Sequence, residues 1–176
     1  MKFLLNLFGD LHQPLQTQGL ARGENDVPVL FEDQEVNLHF LWDIIIPQKI
    51  TASDETNEIP AAKAWAQKLY TGTAAHAFSE DHWETSDYLF EQESERYNME
   101  VLRRIETSIR IVAWARETNQ WVCDFVLKDG LESVKGKELS GEYYSNAVPV
   151  VEGLIARAGR RLGRLINALA EEHGLR

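Results

Sequence analysis

Two short stretches hold residues whose types and spacing suit metal chemistry. The first reads Asn37-Leu38-His39-Phe40-Leu41-Trp42-Asp43. On a helix, His39 and Asp43 are four residues apart and share one face, so an imidazole nitrogen and a carboxylate oxygen converge. A pair so placed can chelate one zinc ion, each donor about 2 Å from the metal. The pattern is permissive, and alone it fits a helix-surface hydrogen bond better than a ligand pair. The second stretch runs from Asn6 to Gln16 and reads NLFGDLHQPLQ. Its Asp10 ends an apolar helix, where a desolvated carboxylate is costly unless paired or metal-bound. Asp10 is therefore either a ligand or an exposed acid past the helix end. Gly9 beside it allows another element to come close.

The elements that must position these residues are mostly helical. Phe3, Leu4, Leu7 and Phe8 give residues 1–10 an apolar helical face, and Pro14 makes continuation unfavourable. Residues 17–26 are loop, rich in Gly, Asn and Asp. Residues 27–36 read as a short hairpin turning at Glu32-Asp33-Gln34. Asn37 is an N-cap for a helix bearing Leu38, His39, Leu41, Trp42, Ile45 and Ile46, with its end expected at Pro47. After a polar linker at 51–59, Pro60 opens a helix to about Tyr70. Further helices are expected over 83–105, 108–128 and 142–172, with a stop at Asp129-Gly130 and a kink at Pro149. The expected fold class is all-α with one small β-hairpin. No repeat, low-complexity tract or boundary divides the chain, so residues 1–176 read as a single domain.

Composition narrows the function. The chain has 176 residues, 44% hydrophobic and 10% aromatic, enough for one domain with a core. No apolar run reaches the roughly 18 residues needed to span a membrane. The opening MKFLLNLFGDLHQPL reads as mature sequence, because Asp10 and His12 arrive too early for a leader and no small-residue cleavage site follows. The net charge is −10. Nucleic-acid binders that neutralise phosphates are usually basic, so charge alone favours a protein that binds no phosphate. If the chain does handle phosphodiesters, metal cations must supply much of the positive charge. The basic run Arg157, Arg160, Arg161, Arg164 reads as a solvated helix face rather than a nucleic-acid patch. Trp65, Trp83, Trp114 and Trp121 read as core rather than base-stacking platforms.

Taken together the motifs are far more specific. GDLHQPLQ, then GEND, then NLHFLWD resembles the zinc-dependent, single-strand-specific nucleases of the S-one/P-one type. Those enzymes read roughly HFxGDxHQPLH, a GGN loop, a hairpin, then NLHxxWD. The likeness continues through PQKI (47–50), WARETNQWVCDFVLKDG (114–130) and the 143–169 helix. Bacterial zinc phospholipases C share the fold, but the NLHxxWD and GGN-like details favour the nucleases. The resemblance implies three zinc ions in a cleft, hydrolysis of single-stranded DNA, RNA and 3′-nucleotides, a secreted monomer, and no membrane partner.

By that resemblance, Asp10 matches the carboxylate bridging two zincs and so the catalytic centre. His39 and Asp43 match two of three ligands of the remaining zinc. Asn25 matches the Asn that helps hold a nucleobase, with Glu24 in place of the second Gly of the loop. Two positions depart: Asn6 and Gln16 stand where the family has zinc-binding histidines, and amides are poor zinc ligands. His12 matches no ligand position and is expected to be exposed or packed behind a ligand. Met1 aligns inside a middle helix, so the chain is expected to be the C-terminal portion of the nuclease domain, lacking the upstream ligands. The lone Cys123 matches a cysteine whose partner would lie upstream. At most one weak zinc site, on His39 and Asp43, is expected, with activity impaired. The competing expectation is a degenerate, non-catalytic relative that binds nucleotides or a partner.

Overall fold

A computed structural model describes residues 2–19, 24–54, 56–71, 99–172 and 174. Helix α1 (Lys2–Leu11) ends in tight turns, His12 N–H to Gly9 O at 3.0 Å and Gln13 N–H to Asp10 O at 3.1 Å. A 3-10 turn (Pro14–Thr17) follows, capped at its start by the Gln13 side chain, which accepts from Leu15 N–H. Strands β1 (Pro28–Phe31) and β2 (Gln34–Asn37) pair antiparallel, with Val29 opposite Val36 and Phe31 opposite Gln34. Alternation buries Val29 and Phe31 on one face.

The hairpin turn places Glu32 and Asp33 at φ 53 and 63. Two positive φ values suit the right-handed twist of a two-residue hairpin, although neither residue is the usual glycine or asparagine pair. The Glu138 carboxylate secures the turn by accepting from Glu32 N–H at 3.1 Å and Asp33 N–H at 3.0 Å. The segment bearing Glu138 also lies along β1: Leu30 N–H donates to Lys137 O, and Leu139 N–H to Leu30 O, both at 2.8 Å.

Asn37 caps helix α2 as expected, its Oδ1 accepting from Phe40 N–H at 2.7 Å. The expected stop at Pro47 is corrected. The helix is α-wound over Leu38–Phe40, π-wound over Leu41–Ile45 and α-wound again over Ile46–Thr51. The wider turn re-registers the backbone so that Pro47 falls in a first turn, where its missing N–H is not needed. Helix α3 (Glu58–Thr71) follows, with Leu69 buried and Trp65 donating to Glu152 at 3.1 Å.

Helix α4 (Met99–Trp121) continues π-wound over Val122–Val126. The break expected between residues 105 and 108 is absent: no Gly or Pro interrupts 99–126, so polar residues there do not end the helix. The rest of the helix expected from 83, with Trp83, lies outside the described residues. Gly130, at φ 85, stands just past the end. Helix α5 (Glu142–Glu172) runs through Pro149. Its Ala147, Val150, Val151 and Leu154 recur at helical spacing and meet Leu15, Val29, Leu38, Leu41, Trp42 and Val126 in the core. The fold is mostly helical with one small hairpin, and no described helix is long and apolar enough to cross a membrane.

One surface expectation is corrected, and of the two alternatives for His12 the exposed one is excluded. His12 is 4% exposed, its Nδ1 bonded to Phe8 O at 2.8 Å and its Nε2 to Arg161 Nη1 at 2.9 Å. Arg161 is likewise buried; it pairs with Glu117 and lies 4.9 Å over the Trp114 ring. Arg157 pairs with the same Glu117, so half of the basic run faces α4 rather than solvent. Acids and aromatics on the neighbouring helix, invisible to helical periodicity, draw those arginines inward. Trp114 belongs to this cluster with Phe8 and His12, while Trp65 and Trp121 pack on the core.

Candidate metal centre

Three side chains from two elements converge at the foot of α1. On α2, His39 Nε2 is 3.1 Å from Asp43 Oδ2. From the Pro14–Thr17 turn, Gln16 Nε2 comes within 3.1 Å of His39 Nε2 and 3.4 Å of Asp43 Oδ2. The three atoms form a triangle. Donors about 2 Å from a tetrahedral cation stand about 3.3 Å apart, so the triangle has the dimensions of one face of such a site. A half-turn of the Gln16 amide places its oxygen, the donor atom, on the same vertex. The residues therefore fit a cation, but weakly: one imidazole, one carboxylate and one neutral amide. Among the described residues no group of three or more His, Cys, Asp or Glu side chains is arranged to hold a metal.

Gln13 adds a contact that its sequence position did not signal. Its Nε2 donates to Asp43 Oδ1 at 2.6 Å while its Oε1 caps the turn carrying Gln16. One amide thus fixes both the carboxylate and the segment bearing the third donor. That turn is also tied to α4, where Asn119 Nδ2 donates to Thr17 O at 3.1 Å.

A cleft of ≈ 640 Å³ opens beside this cluster. Asn6, Asp10, Gln13, Gln16 and Asp43 line its polar side, and Leu5 and Ile155 part of its apolar side. The structure thus brings Asp10 and both amide positions to the same cleft as Asp43. Asn25 is exposed on the turn entering β1 and is not among the cleft-lining residues. Beside it, Glu24 is completely buried at φ 60. Burial pushes its carboxyl up to about 7, with the nearby His39 pulling the other way. Sequence reasoning noticed Glu24 only as a departure from a glycine; burial of an acid at a glycine position has no periodic signature. It missed the roles of Gln13 and Arg161 for the same reason.

A model of the S1/P1 nuclease family matches residues 1–171. The chain belongs to the S1/P1 nuclease family. Nuclease S1 of Aspergillus oryzae is 31% identical over 176 residues, an alignment covering 98% of this chain and 54% of that protein. Nuclease P1 of Penicillium citrinum is 29% identical over 176 residues, covering 99% and 57%. Endonuclease 4 of Arabidopsis thaliana is 24% identical over 170 residues, covering 96% and 50%. The chain spans about half the length of the curated relatives it matches.

Proposed function

We propose that the protein is a zinc-dependent hydrolase of phosphodiester bonds in single-stranded DNA and RNA, acting outside the cell, and that residues 1–176 carry only part of its metal machinery. The observation that supports this reading is the convergence of Gln16, His39 and Asp43 at tetrahedral-face distances. His39 and Asp43 would hold one zinc ion, with the Gln16 amide oxygen as a poor third donor. Asp10, which lines the same cleft, would contribute its carboxylate to further zinc binding there. When bound, zinc supplies Lewis acidity toward water and phosphoryl oxygens and offsets the negative charge of substrate on an acidic protein.

The chain's own groups set the geometry. Gln13 holds Asp43 Oδ1, leaving Oδ2 toward His39. The α2 backbone fixes the His39–Asp43 spacing, and the hydrogen bond from Asn119 anchors the turn that presents Gln16. Asn25 is proposed to contact a base. A second reading, a non-catalytic relative, is favoured by one specific feature. Amides occupy positions 6 and 16, and the Gln13 and Gln16 amides already engage Asp43.

The proposal expects one weak zinc site and negligible hydrolysis by this chain alone. The test is cleavage of single-stranded DNA with added Zn²⁺ by the wild type, Gln16→His and a His39→Ala/Asp43→Ala control. A wild-type rate clearly above that control would show that these residues suffice for catalysis and would overturn the partial-machinery reading.

A further inference from the structure

Helix α1 stops at a buried side chain. In a continued α-helix the Phe8 carbonyl would accept from the His12 backbone N–H. Here that N–H turns back to Gly9 O at 3.0 Å, and the His12 ring takes its place, Nδ1–H donating to Phe8 O at 2.8 Å. Arginine can only donate, so the contact of Arg161 Nη1 with His12 Nε2 at 2.9 Å makes Nε2 an acceptor. Both ring nitrogens are thus committed, and the ring cannot turn without breaking a buried hydrogen bond. Arg161 is itself held: its other amino group pairs with Glu117 of α4, and its guanidinium lies 4.9 Å over the Trp114 ring. Trp114 also meets Phe8 and His12, at centroid distances of 5.8 and 6.3 Å. The end of α1 is therefore joined to α4 and α5 at one imidazole.

The next residue in the chain is Gln13, whose amide is committed at both ends, Oε1 to Leu15 N–H and Nε2 to Asp43 Oδ1 at 2.6 Å. His12 and Gln13 line the same cleft as Asp10, Gln16 and Asp43. The side chain that orients Asp43 thus leaves the backbone one residue after the ring that Arg161 holds. We propose that Arg161, backed by Glu117, is a positioning residue for a divalent cation held by Gln16, His39 and Asp43. It fixes the His12 ring, the ring fixes where α1 stops, and that stop aims Gln13 at Asp43. This rests on the metal reading given above. Glu117 answers the charge of Arg161, so the arginine acts by geometry. A cation site tolerates only about 0.5 Å of play in its donors, which is why the support of Asp43 reaches its affinity.

The test measures Co²⁺ affinity, read from the visible absorption that reports coordination, and melting in the presence of a chelator. It compares the wild type with Arg161→Met, Arg161→Lys, Gln13→Leu and Arg161→Met/Gln13→Leu, each also in a Gln16→His background. Val29→Ala, in the hairpin core, is the control for lost stability alone. Arg161→Met removes both polar contacts, and Co²⁺ affinity is expected to fall about tenfold. Arg161→Lys carries a single ammonium that cannot serve Glu117 and His12 together. It is expected to lose a similar factor in affinity while melting closer to the wild type, and it decides the outcome if Arg161→Met does not fold. Gln13→Leu should also fall about tenfold, and the double variant no further, because both changes release the same contact. Val29→Ala should melt lower with affinity unchanged. Affinity unchanged in the Arg161 variants, an equal fall in Val29→Ala, or additive losses in the double variant overturns this proposal alone. No saturable Co²⁺ uptake by either the wild type or Gln16→His overturns the metal reading and this proposal together.

Discussion

Glu138 and Glu24 flank the same hairpin and experience opposite environments. Glu138 is exposed, and accepts from Ser140, Glu32 and Asp33; these hydrogen bonds, the one from Ser140 first, hold its carboxyl down at about 2. Glu24 is buried, accepts from none of the described residues, and is pushed up to about 7. The difference separates two regions. At the hairpin turn, the start of α2 and the join of α2 to α5, polar groups support the fold: a satisfied turn, an Asn37 cap, and Trp42 Nε1–H donating to Tyr143 Oη at 3.1 Å. Around the cleft, two amides crowd one carboxylate and Leu5 of α1 is exposed. The first region is arranged for stability, and the second is the one in which the metal site is proposed.

The largest effect expected from this contrast is in the packed region. Leu38 and Leu41 are both 0% exposed, so either change to Ala should lower unfolding free energy by roughly 3–5 kcal/mol. Asp10→Asn, in the cleft, should change it by less than about 0.5 kcal/mol. Urea unfolding measures both, and similar losses would erase the distinction between the regions.

Next comes the buried join between them. Arg161→Ala leaves Glu117 and His12 without their shared partner and should destabilise by about 3 kcal/mol. Arg164→Ala, on the outer face, should stay within about 0.5 kcal/mol. Equal effects would restore the reading of the whole run as a solvated stripe.

The two glutamates give a smaller effect with opposite signs. Glu24 binds its proton more tightly folded than unfolded, so its contribution is fully present below its ordinary value near 4.5. That contribution is lost as pH rises through about 7. Glu138 binds its proton less tightly folded, so its contribution is present above 4.5 and is lost as pH falls toward about 2. Melting curves across pH should therefore show the decline between 4.5 and 7 flattened in Glu24→Gln. The acid decline should be flattened in Glu138→Gln. A variant that follows the wild type through its own window would contradict the assignment.

Sequence showed those features that depend on local spacing. The Asn37 cap, the hairpin, the i, i+4 approach of His39 and Asp43, and the last helix from 142 to 172 all follow from periodicity and capping. What it hid depends on partners far along the chain. Pro47 was expected to end α2 because a π-turn two residues earlier leaves no compositional mark. His12 was left open between an exposed and a packed position because the arginine that buries it lies at position 161. Glu24 differed from a glycine by letter only, and its burial leaves no mark in the local sequence.

The most direct test of the account is the zinc stoichiometry and affinity of the chain, measured by equilibrium titration after dialysis against chelator. The account predicts a single weak site in the wild type. It should be lost in His39→Ala/Asp43→Ala and tightened about tenfold or more in Gln16→His, because imidazole replaces an amide on the same vertex. Two or more tightly held zinc ions per chain, or a single site indifferent to His39, Asp43 and Gln16, would contradict it.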